Sequence, residues 1–106
     1  MLRIYPVVLD WIASLPPAIA SIESRDRNLA DQLRRSSTSV GLNLAEGIAG
    51  TGRAKRNAYR IALREMRESA AAIDIATRLT YIRPFDHDDA DRQSRIIGTL
   101  VRLALP

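Results

Sequence analysis

Between Leu33 and Gly47 the chain reads Leu-Arg-Arg-Ser-Ser-Thr-Ser-Val-Gly-Leu-Asn-Leu-Ala-Glu-Gly, with small polar residues where an amphipathic helix would carry leucines. At about 100° per residue around Val40, the residues Leu29, Leu33, Ser36, Asn43, Leu44 and Gly47 share one broad face, with Ser39 and Glu46 along its edge. Burying Ser36, Ser39 and Asn43 costs free energy unless each finds a hydrogen-bond partner. Two outcomes fit: an internal hydrogen-bond network, or a helix thinned so that a neighbour approaches closely. Neither is catalytic. Arg35, close to the Glu46 side of the helix, completes this polar motif and is read as structural.

The remaining periodicity is helical. Residues 4–15 form a first helix with Ile4, Val8, Ile12 and Leu15 as its apolar set and Pro6 in its opening turn. Pro16-Pro17 removes two backbone donors, so the first helix is expected to kink or break there, with a second segment over residues 18–23. The next helix runs over residues 28–48, ended by Gly47, Gly50 and Gly52. The longest spans 52–82. Around Met66, its residues Tyr59, Ala62, Leu63, Ala70, Ile73, Thr77 and Thr80 gather on one face. After Arg83-Pro84-Phe85, Asp86 is an N-cap for a last helix that reaches Leu103, with Asp88, Asp89 and Asp91 favoured by its dipole. Ile97, Leu100, Val101 and Ala104 form its core side, and Asp88–Arg92 and Asp91–Arg95 are i,i+4 pairs. The expected architecture is all-α, an up-and-down four-helix bundle occupying residues 1–106 as a single domain.

Two helices carry a second apolar side. Thr38, Gly41, Leu42 and Ala45 recur opposite the core face of the 28–48 helix, and Ile61, Ala72, Ile75, Leu79 and Ile82 form a line more than 100° from the core of the longest helix. A monomeric bundle needs one stripe per helix, so Thr38, Gly41, Leu42, Ala45, Ile61, Ile75 and Leu79 are read as a seam for homo-oligomerisation. For Thr38, Gly41, Leu42 and Ala45 a thinly apolar solvent face is the alternative.

Leu33-Arg34-Arg35 followed by Ser39-Val40-Gly41-Leu42-Asn43-Leu44-Ala45-Glu46-Gly47 resembles the signature of the proteins encoded in intervening sequences of bacterial 23S rRNA genes, the S23 family. The likeness continues through Arg60-Ile61-Ala62-Leu63 and Glu68 to Leu79-Thr80-Tyr81. It departs at Arg64-Glu65, where Gly-Ser is usual, at Thr80, where the family has glycine, and at Gly41, where many relatives have proline. The resemblance implies a four-helix bundle that assembles into a ring, a pentamer in known relatives. It also implies a role in binding nucleic acid and no enzymatic activity. Related bundle proteins serve as accessory subunits of reverse transcriptases.

Fifteen arginines and one lysine stand against twelve acids, for a net charge of +4. Five of the arginines form a line: Arg53, Arg56, Arg60, Arg64 and Arg67 recur every three or four residues in one sector of the longest helix, with Lys55 nearby. One helical turn rises about 5.4 Å, comparable to the spacing of phosphates along a strand. Arginine suits bidentate phosphate contacts, so these six residues are the candidate nucleic-acid-binding set. The alternative is a solvated face in which Arg64 pairs with Glu68 and Arg60 is held by an acidic neighbouring chain. Arg34 and Arg35 could extend the basic surface, or pair with Asp31 or with Glu46 of a neighbouring chain.

Other chemistries find little support. The chain has no cysteine, hence no disulfide or thiolate metal site. His87 is its single histidine and lies among N-capping aspartates, so no metal or cofactor is expected. The segment Gly47–Gly52 lacks the lysine and spacing of a phosphate loop. Apolar runs fall short of the roughly 20 residues of a membrane span. Arg3 precedes a segment interrupted by Asp10 and Pro16-Pro17, so a signal peptide is not expected and the cytoplasm is the expected location. The reading is a non-enzymatic module binding structured RNA, or DNA, as a homo-oligomer. The alternative is an oligomeric scaffold presenting a surface to a protein partner such as a nucleic-acid enzyme.

Overall fold

In the computed structural model, which describes residues 2–106, the chain forms α1 (Ile4–Ser14), α2 (Pro16–Glu23), α3 (Arg27–Ala49), α4 (Gly52–Arg78) and α5 (His87–Ala104). No strand occurs among the described residues. Pro16 and Pro17 occupy the first two positions of α2, where a missing N–H is tolerated, so α1 and α2 act as one arm broken at Leu15. Asp26 caps α3 by accepting a bond from the Leu29 N–H at 3.0 Å. Asp86 caps α5 in the same way, accepting from the Asp89 N–H at 2.8 Å.

Neighbouring elements pack antiparallel: α2 and α1 lie on α3, α3 on α4, α4 on α5, and α5 returns to α1. The bundle measures 42 × 26 × 20 Å. One cluster fills its interior, drawing Val8 and Trp11 from α1, Ile22 from α2, Leu33, Val40 and Leu44 from α3, Met66 and Ile73 from α4, and Ile96 and Leu100 from α5. The Trp11 indole N–H donates to Gln93 Oε1 at 3.2 Å, so the largest buried side chain keeps its polar atom satisfied while closing the circle between α1 and α5.

Several sequence expectations are corrected. Trp11, not Ile12, is the fully buried residue of its turn in α1. Ala72, assigned to the outer line of α4, is buried, whereas Thr80 is exposed. On α5, Ile96 takes the inner position, with Ile97 and Val101 half-buried. Gly47 does not end α3: it is buried inside the helix, where an added Cβ would overlap the Tyr59 ring. Its missing side chain is what lets α3 and α4 approach.

Helix α4 ends at Arg78, short of the expected Ile82. The Tyr81 N–H donates to the Ala76 carbonyl at 2.8 Å and the Thr80 N–H to the Thr77 carbonyl at 3.0 Å. That pair of bonds is the Schellman ending, and it requires Thr80 to be left-handed, at φ 60°. The Arg25 guanidinium stacks 5.5 Å from the centre of the Tyr81 ring, tying this end of α4 to the α2–α3 connection.

Residues Ile4–Glu23 together span 20 residues with a mean hydropathy of 1.3, which meets the length and apolar content of a membrane span. That departs from the sequence expectation. Within the bundle this stretch is split at Leu15, and Val8, Trp11, Leu15 and Ile22 bury against the other helices.

Candidate nucleic-acid interface

The polar motif of α3 divides into two parts. Ser36 is buried facing α4, its Oγ 2.7 Å from Ser69 Oγ. Ser69 in turn donates to the Glu65 carbonyl at 3.0 Å, so Ser36 acting as donor to Ser69 satisfies both hydroxyls. Ser39 and Asn43 are half-buried and stay within their own helix: the Asn43 amide donates to the Ser39 carbonyl at 2.9 Å and to Ser39 Oγ at 3.0 Å. The network therefore crosses helices at one point only, and close approach at Gly47 supplies the rest of the α3–α4 contact. No buried side-chain nitrogen or oxygen among the described residues lacks a partner.

Arg35 and Glu46 are both exposed on α3. Arg34 pairs with Asp31 at 2.7 Å and also with Glu23 of α2 at 3.0 Å, which holds it at the α2–α3 junction. It is thereby engaged within the chain.

Of the seven seam residues, Gly41 is removed by the structure. It is buried beneath α1, and an added Cβ would lie 3.0 Å from Ile12 Cδ1. Thr38 is exposed, Ala45 half-buried, and Leu42 keeps 66% of its surface open. On α4, Ile75 and Leu79 are each 49% exposed and Ile61 is half-buried. Open leucine and isoleucine on two helices leave apolar surface without an intrachain partner.

Opposite its core, α4 carries Arg53, Arg56, Arg60, Arg64 and Arg67, all exposed. They fall within about 80° of the helical wheel and run for about 21 Å along the axis. Among the described residues Arg53, Arg56, Arg60 and Arg67 enter no ion pair, and Arg64 meets Glu65 at 3.7 Å, not Glu68, with 72% of its side chain in solvent. Arg53, Ala54, Arg56, Asn57 and Arg60 line a shallow groove of about 600 Å³. Lys55 lies apart from this line. It is half-buried and turns its ammonium over the Tyr59 ring, 5.7 Å from the centroid. Arg78, overlooked in the sequence because the small Ala71 and acidic Asp74 interrupt the run, is exposed in the same sector one helical segment further on.

At the start of α5 the expected i,i+4 pairs are replaced. Arg92 pairs with Asp89, and His87 Nε2 lies 3.2 Å from Asp91. No group of three or more His, Cys, Asp or Glu residues among the described residues is placed to hold a metal ion. The chemistry this surface offers is an exposed array of guanidinium groups spread over one sector of α4, able to fork onto phosphate oxygens.

A family model described as 23S rRNA-intervening sequence protein matches residues 18–102. Among solved structures, a protein of unknown function from the S23 ribosomal protein family of Bacteroides thetaiotaomicron superposes with a TM-score of 0.80 at 19% sequence identity. The alignment covers 97% of this chain and 99% of that one, and at this identity it shows a shared fold. No curated protein matches.

Proposed function

The chain belongs to the 23S rRNA-intervening sequence protein family, and from that premise we propose that it is a non-enzymatic nucleic-acid-binding module working as a homo-oligomer in the cytoplasm. Structured RNA is its target and the α4 arginine line its contact surface. What supports this is the line itself: among the described residues four exposed arginines have no acidic partner and the fifth has only a long, solvated one. A surface held in place only by solvation is usually interleaved with acids, as α5 is here with Asp89–Arg92. Ser36 and Ser69 are buried and bonded to each other, so neither hydroxyl is open to a substrate.

The test is binding of a labelled structured RNA across a salt series. Each phosphate contact contributes about 0.7–0.9 to the log–log salt slope. Replacing Arg56, Arg60 and Arg67 with glutamine should leave the helical content intact and flatten that slope. Unchanged affinity and slope in the triple variant would refute the reading.

The exposed Leu42, Ile75 and Leu79 favour a second reading, a scaffold ring whose arginines face a protein partner such as a nucleic-acid enzyme. In both readings Thr38, Leu42, Ala45, Ile61, Ile75 and Leu79 build the oligomer, a pentamer by the family resemblance. Ile75→Asp should dissociate it in light scattering, and an unchanged mass would exclude that seam.

A further inference from the structure

Resting on the nucleic-acid reading above, we propose that the arginine face of α4 grips the backbone of a double helix, one file of arginines to each strand, and discriminates against single strands. The five arginines are not collinear on the wheel. Arg56 and Arg67 fall on the side nearer Tyr59, which packs against α3, while Arg53 and Arg64 fall on the opposite side and Arg60 between them. The fan thus presents two diverging files from one convex helix. Two files suit two phosphate walls flanking a groove. Over the 21 Å or so that the line covers, a duplex presents about twelve phosphate charges and one strand about six.

The placement of the aromatic residues argues against the single strand, leaving it only the guanidinium planes to stack on. Proteins that hold single strands without sequence preference stack bases on aromatic side chains, and those that read single-stranded RNA do so as well. This chain has five aromatics, and each packs in or against the core. Trp11 is buried and bonded to Gln93. Tyr59 is buried under Gly47 and Lys55. Tyr5, Tyr81 and Phe85 pack against the core from α1 and from the connection between α4 and α5. Beside the arginines stand Ala54 and Asn57, which offer no stacking platform. An unstacked strand would bring its phosphates but forfeit about 1–3 kcal/mol per base that a stacking protein gains. A duplex loses nothing, because its bases are already stacked.

The experiment is fluorescence anisotropy with duplex RNA, duplex DNA and non-pairing polyuridine of equal phosphate number, each titrated across salt with the intact protein. A duplex should bind at least about tenfold tighter than polyuridine, with a salt slope near that of four to five phosphate contacts. Duplex DNA binding tighter than duplex RNA would overturn RNA as the target while leaving the duplex grip standing. Arg56→Gln/Arg67→Gln and Arg53→Gln/Arg64→Gln should each lower the duplex slope by about 1.8, that is two contacts of about 0.9. Polyuridine binding as tightly as duplex, still weakened by the arginine substitutions, would overturn the duplex preference while leaving nucleic-acid binding standing. Loss of slope in one double variant only would overturn the two-file grip. No binding to any of the three would overturn the nucleic-acid reading and this inference together.

Discussion

Thr80→Gly is expected to raise the stability of the bundle, because threonine occupies the one backbone position at the end of α4 that a side chain opposes. Thr80 sits at φ 60°. An L-residue in the left-handed region loses about 1–2 kcal/mol, and a β-branched one is especially poorly suited. The surroundings enforce it: the bonds from Tyr81 to Ala76 and from Thr80 to Thr77 need that turn. Glycine would relieve the strain and in return carry about 0.5–1 kcal/mol of extra chain entropy in the unfolded state. The net gain is about 0.5–1 kcal/mol, or roughly 2–5 °C in Tm for a domain of this size. The hydrogen bond from Thr80 Oγ1 to the Leu79 carbonyl, at 2.6 Å, is solvent-exposed and subtracts little. Thermal unfolding followed by circular dichroism at matched protein concentration measures the change. Gly52 supplies the mirror image: it adopts φ +58° with no atom within 4 Å of an added Cβ, so Gly52→Ala tests the backbone conformation free of any clash and should cost about 1 kcal/mol. A Thr80→Gly variant with unchanged or lowered Tm, or a Thr80→Ala variant that gains as much as glycine, would refute the reasoning.

Gly47→Ala should destabilise by about 1–3 kcal/mol, read as a lower urea midpoint, because its Cβ would overlap the Tyr59 ring. Gln93→Leu leaves the Trp11 indole N–H without its acceptor and should cost about 1–3 kcal/mol in chemical denaturation. Ser36→Ala and Ser69→Ala should each cost about 0.5–1.5 kcal/mol, and the double variant less than their sum, a double-mutant cycle reporting the 2.7 Å contact between them.

Much of the fold was legible because helix periodicity survives in the sequence. Leu29, Leu33, Val40 and Leu44 lie on the expected face and all are buried. The misses share a cause: a wheel gives direction around one helix and not the position of its neighbours. Ala72 stands at an intermediate angle on the wheel, yet α4 is flanked on both sides and small residues at the edge of its face are covered. Gly47 and Gly41 looked like a terminator and a seam, respectively. Each is a point where another helix comes close, which only the partner's identity, Tyr59 or Ile12, reveals. Threonine at position 80 hid the end of α4, since glycine is the usual signal for a left-handed residue. The arginine line was legible outright, because exposure needs no partner. Its independence from acids was not, since ion pairing depends on rotamers and on which helices flank it.

The contact between Trp11 and Gln93 joins residues 82 positions apart, while those between α3 and α4 close across the short connection at Gly50 and Thr51. Loop-closure entropy separates these in time. Contacts across the short α2–α3 and α3–α4 connections are expected to form first, and the α1–α5 contact sealed by the indole last. Substitutions at Gly47 should therefore slow folding, whereas Gln93→Leu should leave the folding rate nearly unchanged and accelerate unfolding, with a φ-value near zero in stopped-flow kinetics.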